Sequence, residues 1–141
     1  MKRKGSAVWK GEIKNGKGVI STESGVLKET QYSFGSRFEE GIGTNPEELI
    51  GAAHAGCFSM ALAGQLGSAG MTAESIRTTA AVTLEKTGEG FTISAVHLDV
   101  SAKVPGADRK AFETAAANAK NGCPVSRVLN ATITMEARLE E

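Results

Sequence analysis

The hydrophobic positions change their period along the chain, and each change marks an element. Ile76, Ala80, Val82 and Leu84 share one parity of the segment Ile76–Lys86, which is the alternation of a half-buried strand. Ala131, Ile133, Met135, Ala137 and Leu139 repeat that pattern in a strand that closes the chain. Over 91–104 the parity slips, with Phe91 and Ile93 on one set and Val96, Leu98 and Val100 on the other. Either a bulge near Ser94-Ala95 or a strand covered on both faces would produce this. Thr87–Gly90 reads as the turn between these strands, and Pro105-Gly106 ends the second.

Earlier in the chain, Ala7–Ile13 and Lys17–Ser21 flank Asn15-Gly16, a dipeptide that tolerates the positive φ angles of a two-residue turn, so a hairpin is expected. Gln31–Phe38 alternates well enough to predict a further strand with Arg37 on its polar face. Residues 39–43 then form a loop. Asp108–Lys120 has helical spacing, with Asp108 as cap, Ala111, Phe112, Ala115, Ala116 and Ala119 facing in, and Gly122 just past the end.

The longest uncharged run lies at the centre, within TNPEELIGAAHAGCFSMALAGQLGS, residues 44–68. Asn45 is a good N-cap, Pro46 suits the first helical position, and Glu48 completes a capping box. From Leu49 to Leu66 no residue is charged and many are Ala or Gly. The run meets the length criterion for a membrane span, but His54, Ser59 and Gln65 interrupt it, and the expected role is a buried central helix of a soluble protein.

Strands and helices in blocks give an α+β class with largely antiparallel pairing. The 141 residues suit one domain, 1–141. That is too few to cover a long apolar helix on every side, so a dimer is expected to supply the remaining cover. The 16 basic and 16 acidic residues balance, and no basic stripe interleaves with aromatics, which argues against a nucleic-acid partner. The basic start, Met1-Lys2-Arg3-Lys4, is followed by no apolar segment of a signal peptide, and the chain reads as cytoplasmic.

A reducing compartment gives the two cysteines, Cys57 and Cys123, three readings: inert, metal-binding or redox-active. Their wide spacing without a His/Cys cluster makes a poor zinc site. Cys123 precedes Pro124, which would make it the N-cap of a short helix through about Asn130, where the dipole eases thiol ionisation; it would equally serve as a small buried loop residue. Cys57 lies mid-helix and needs an outside cation to become a nucleophile, with Arg37 the candidate. His54, three residues before Cys57, shares its face, and a lone histidine there is expected as a hydrogen-bonded packing residue.

Taken together, TNPEELIGAAHAGCF around Cys57, GCPVS around Cys123, SRFE at Arg37 and TESGVL near the start resemble the OsmC/Ohr family, specifically its osmotically inducible protein C branch. The likeness covers nearly the whole chain in the family's order. It implies an intertwined α+β homodimer that reduces organic hydroperoxides through thiols in oxidative and osmotic stress. It further implies that Cys57 is the peroxidatic cysteine, that Cys123 resolves it in a Cys57–Cys123 disulfide, and that Arg37 with Glu47 activates and orients the site. His54 inherits no role.

Ten residues separate Glu47 from Cys57 on the expected helix, roughly 15 Å along its axis, which is farther than one Glu and one Arg comfortably bridge. A two-fold pairing of central helices solves this, so a site shared between subunits is expected; taken alone, Glu47 is simply a dipole-friendly residue of the first turn. Phe34, Phe38, Phe58, Met60 and Met71 would give an apolar mouth near Cys57, or else ordinary core, and such a mouth favours alkyl hydroperoxides over hydrogen peroxide. No flavin, haem, nucleotide or metal motif is present, so no cofactor is expected and electrons must come from an external dithiol. Two rival readings are a non-enzymatic stress or ligand-binding dimer, and a thioester hydrolase using Cys57 with His54 as base.

Overall fold

Strand β1 (Gly5–Lys10) pairs antiparallel with β2 (Lys17–Thr22), Lys10 opposite Lys17, in a computed structural model that describes residues 1–88 and 90–140. The hairpin is therefore real, but its connection is the loop 11–16 and not a two-residue Asn15-Gly16 turn. The Asn15 side chain donates to the Glu12 carboxylate, and the Gly16 N–H donates to the Glu12 carbonyl at 2.8 Å. The left-handed residue of the loop is Gly11, at φ 96°.

β3 (Thr30–Tyr32) adds antiparallel to β2. Gly18 lies opposite both Trp9 and Tyr32, whose ring centroids are 5.5 Å apart. A Cβ on Gly18 would stand 2.7 Å from the Trp9 ring, so glycine is what allows the rings to close over β2.

The strand expected over Gln31–Phe38 stops at Tyr32. Ser33 accepts from the Ser36 N–H at 3.2 Å and the Ser36 hydroxyl accepts from the Ser33 N–H at 2.9 Å, a reciprocal cap that starts helix α1 (Phe34–Phe38). Two serines thus offer the backbone local partners that compete with a sheet ladder, and the helix wins. Arg37 accordingly sits in the last turn of a helix. The Ser36 hydroxyl also donates to the Thr44 carbonyl at 2.6 Å, and the Asn45 side chain donates to the Ser36 carbonyl at 3.0 Å, which ties α1 to the start of α2 (Pro46–Ser68). There Asn45 Oδ1 accepts from the Glu48 N–H at 2.8 Å, as a cap should, while the Glu48 carboxylate is engaged by the Thr44 hydroxyl at 2.7 Å.

The chain divides into two compact units, Met1–Leu49 and Ile50–Glu141. In the second, β4 (Ser75–Thr87) pairs antiparallel with β5 (Gly90–Lys103), and β6 (Thr132–Glu140) runs parallel to β5 on its other side. The turn expected at Thr87–Gly90 includes Glu89, which lies outside the described residues; Thr87 pairs with Gly90. Thr83 pairs with Ala95 but Leu84 with Ile93, so Ser94 is the extra residue and the parity slip is a bulge. The parallel pairing of β5 with β6 needs a crossover, supplied by α3 (Arg109–Gly122) and α4 (Pro124–Val128). The sequence thus yields two three-stranded sheets, antiparallel except for this one pair.

Asp108 caps α3 as expected, accepting from the Ala111 N–H at 2.9 Å, but the helix runs on through Gly122 and Cys123 is its C-cap. The core packs Phe58, Leu62 and Leu66 of α2 against Val96, Leu98 and Val100 of β5 and Phe112, Ala115 and Ala119 of α3. Truncating one such aromatic to alanine would cost about 3–5 kcal/mol. Gly51 brings α2 close to β4, where an added Cβ would meet the Ala80 carbonyl at 3.0 Å.

Helix α2 is long and apolar enough to cross a membrane by length and composition, with a mean hydropathy of 1.3 over its best window. In the fold it buries one stripe, Gly51, His54, Phe58, Leu62 and Leu66, while Ala52, Ala53, Gly56, Met60, Ala63 and Gly64 stay exposed. Polar Ser59 of the same helix hydrogen-bonds Thr78 of β4 at 2.8 Å.

Candidate active site

Cys123 occupies the joint between two helices. As C-cap of α3 its N–H donates to the Ala119 carbonyl at 3.0 Å, and as N-cap of α4, with Pro124 following, its sulfur accepts from the Ser126 N–H at 3.3 Å. The short helix expected after it is present, ending at Val128 with Leu129 as cap. Cys123 thus caps a helix, as expected from Pro124, and is only 1% exposed.

Cys57, half-buried on α2, meets this joint. It packs against the core cluster that includes Cys123, and the Cys123 side chain and the Val125 backbone N–H are its electrostatic neighbours. Both cysteines are free thiols. Burial is the main influence pushing the Cys57 thiol up from its ordinary value, the Cys123 side chain adds to that by hydrogen bond and charge, and the Val125 N–H opposes it.

Two further side chains join the pair: Ser126, to which the sequence reading gave no role, and His54, which is the hydrogen-bonded packing residue expected of it. The Cys123 thiol donates to the Ser126 hydroxyl at 3.2 Å, and that hydroxyl lies 2.7 Å from His54 Nε2. His54 is fully buried and its pKa is lowered by that burial, which favours the neutral ring. Its Nδ1 is buried without a hydrogen-bond partner among the described residues. The signal for Ser126 was present in the sequence: it stands three residues after a capping cysteine, the position whose N–H returns to an N-cap side chain.

The other two candidates meet in the N-terminal unit. Arg37 Nε and Nη2 donate to Glu47 Oε1 and Oε2 at 3.0 and 3.1 Å, a two-pronged pair. Its arginine side is 36% exposed and its carboxylate 10%, so the fork is fixed at the back and open at the front. The guanidinium also lies 5.2 Å from the Phe38 ring centroid. Trp9, Ile13, Tyr32, Phe34, Arg37 and Phe38 line a cleft of about 190 Å3 with Ser33. Of the apolar residues expected at such a mouth, Phe34 and Phe38 line this cleft, Phe58 is instead core and Met60 is 80% exposed. Met71 packs against the core. Among the described residues, no group of three or more His, Cys, Asp or Glu is placed to hold a metal.

The model of the OsmC-like protein family matches residues 39–138, which include Glu47, Cys57 and Cys123. The chain belongs to the OsmC-like family. A relative from Escherichia coli K12, Peroxiredoxin OsmC, is 55% identical over 138 residues, spanning 98% of this chain and 96% of that protein. Among solved structures, the organic hydroperoxide resistance protein OsmC of Legionella pneumophila is 25% identical with a TM-score of 0.67, covering 98% of this chain and 97% of its own. An OsmC-like protein of unknown function from Vibrio cholerae is 15% identical with a TM-score of 0.76, covering 97% and 99%, a likeness of fold alone. The α+β class expected from the sequence is the OsmC-like fold.

Proposed function

We propose that this OsmC-like chain is a thiol-dependent peroxidase that reduces organic hydroperoxides to alcohols, in defence against oxidative and osmotic stress. The observation that carries the reading is that two free thiols distant in sequence, Cys57 and Cys123, come together at one core cluster, with the Ser126 amide of α4 aimed at the Cys123 sulfur. The name of the Escherichia coli relative, Peroxiredoxin OsmC, supports it.

In the first step the Cys57 thiolate attacks one peroxide oxygen, the O–O bond breaks, and the alkoxide leaves and is protonated to the alcohol. Cys57 becomes a sulfenic acid. Cys123 then condenses with it, forming the disulfide and releasing water, and an external dithiol reopens the bond by exchange. Burial of Cys57 works against its thiolate, so a cation is needed. Arg37, held planar by Glu47, supplies it and stabilises the charge that moves onto the departing oxygen.

The working unit is a homodimer in the cytoplasm, each chain a single OsmC-like domain, with the Arg37–Glu47 pair of one subunit serving Cys57 of the other. The exposed face of small residues on α2 and the exposure of nearly all of β1 support pairing, because a small three-stranded sheet with open faces needs cover. The cleft beside Arg37 combines aromatic walls with a guanidinium, which suits an alkyl tail and a peroxide head. Rates on cumene hydroperoxide and hydrogen peroxide, with dithiothreitol as reductant, test the reading. Faster reduction of cumene hydroperoxide is expected; no reduction of either, or a preference for hydrogen peroxide, would overturn the activity or its substrate class respectively.

A further inference from the structure

We propose that Ser126 and His54 deprotonate and aim Cys123 when it closes the disulfide, Ser126 touching the reacting sulfur and His54 acting through it as a positioning residue. The proposal rests on the peroxidase reading above and deepens it.

Three contacts in series carry it. Cys123 S–H donates to Ser126 Oγ at 3.2 Å, Ser126 Oγ lies 2.7 Å from His54 Nε2, and the Ser126 N–H holds the Cys123 sulfur at 3.3 Å. A hydroxyl that accepts from the thiol has one hydrogen to give, and Nε2 is the acceptor within reach, so the proton path runs from Cys123 through Ser126 toward His54. A fully buried imidazole with a buried Nδ1 that has no hydrogen-bond partner among the described residues is costly to the fold, and a role in the reaction gives it a reason to stay. Burial keeps the ring neutral and able to accept.

The step balances. Cys123 S–H gives its proton to Ser126 as the Ser126 O–H moves toward Nε2. The thiolate attacks the sulfur of the Cys57 sulfenic acid; the S–S bond forms, the S–O bond breaks, and the departing hydroxide regains that proton to leave as water. The two electrons lost by the sulfurs have gone to the peroxide in the preceding step. After closure the thiol donor is gone, and Ser126 and His54 are restored.

The test is a single turnover with one equivalent of cumene hydroperoxide, following peroxide loss and disulfide closure separately, with a dimedone trap for sulfenic acid. The variants are H54Q, S126A and the hydroxyl-keeping S126T. Closure in H54Q and S126A is expected to slow at least tenfold more than peroxide loss does, so that trapped Cys57 sulfenic acid accumulates, and S126T is expected to recover closure. Since Ser126 is only partly buried, S126A keeps the test available if H54Q fails to fold. Closure in S126A as fast as in the wild type, or equal slowing of both steps without rescue by S126T, overturns the relay alone. A wild type that consumes no peroxide overturns the peroxidase reading, and the relay with it.

Discussion

Cys57 and Cys123 come from a helix and an interhelical joint far apart in the chain, and the first packs against the core cluster that holds the second. Two free thiols brought to one cluster, one half-buried and the other 1% exposed, are placed to become a disulfide with little rearrangement. Replacing either member by serine separates the two half-reactions. Cys57→Ser is expected to abolish peroxide consumption, whereas Cys123→Ser still consumes one equivalent and stops as a sulfenic acid, detectable by trapping. Thioester hydrolysis that survives in Cys123→Ser would instead favour the hydrolase reading.

Arg37 and Glu47 form a fork with both prongs within 3.1 Å. Removing a preorganised donor of this kind costs about 3 kcal/mol, roughly a hundredfold in rate. Arg37→Met is expected to slow the first step by that order. Arg37→Lys, which keeps charge but not the fork, and Glu47→Gln, which frees the fork, should lose less. Pre-steady-state peroxide consumption checks this, and because partly exposed ion pairs contribute little to stability, denaturation midpoints should move much less than the rates.

A site shared between subunits has a particular signature. Arg37→Met and Cys57→Ser homodimers are each expected to be nearly inactive, but mixing them with subunit exchange should restore about a quarter of wild-type activity, because half the dimers are mixed and each holds one intact site. Sites confined to one chain would stay inactive in the mixture.

The lowered pKa of buried His54 makes stability depend on acidity. The unfolded chain takes up a proton near the ordinary 6.5 while the native ring resists it, so stability present above that value falls as the pH drops toward the native pKa. Urea midpoints measured from pH 7.5 to 5 should fall in the wild type and fall less in H54Q. Equal slopes would contradict this.

Much of this was legible in the residues. The even spacing of Ile76, Ala80, Val82 and Leu84, the Asn45-Pro46 start of α2 and the slip at Ser94 are strong local signals, and each corresponds to an observed feature. The segment at Arg37 misled because Tyr32, Phe34, Ser36 and Phe38 fit a strand's period, while the reciprocal serine cap started a helix instead. Asn15-Gly16 misled because Asn15 is held by Glu12. The contact between His54 and Ser126 was not visible, since a pairing across so much chain depends on how α4 packs and not on any local pattern. Nor could the spacing of Cys57 and Cys123 show that they share one cluster; only their likeness to the family pointed there.

The most direct measurement is the intact mass of the fully reduced protein before and after one equivalent of cumene hydroperoxide, with peptide mapping of the product. The proposal predicts a chain two hydrogens lighter that carries a Cys57–Cys123 crosslink. A wild-type chain that is unchanged, or one oxygen heavier with Cys123 still free, would contradict it.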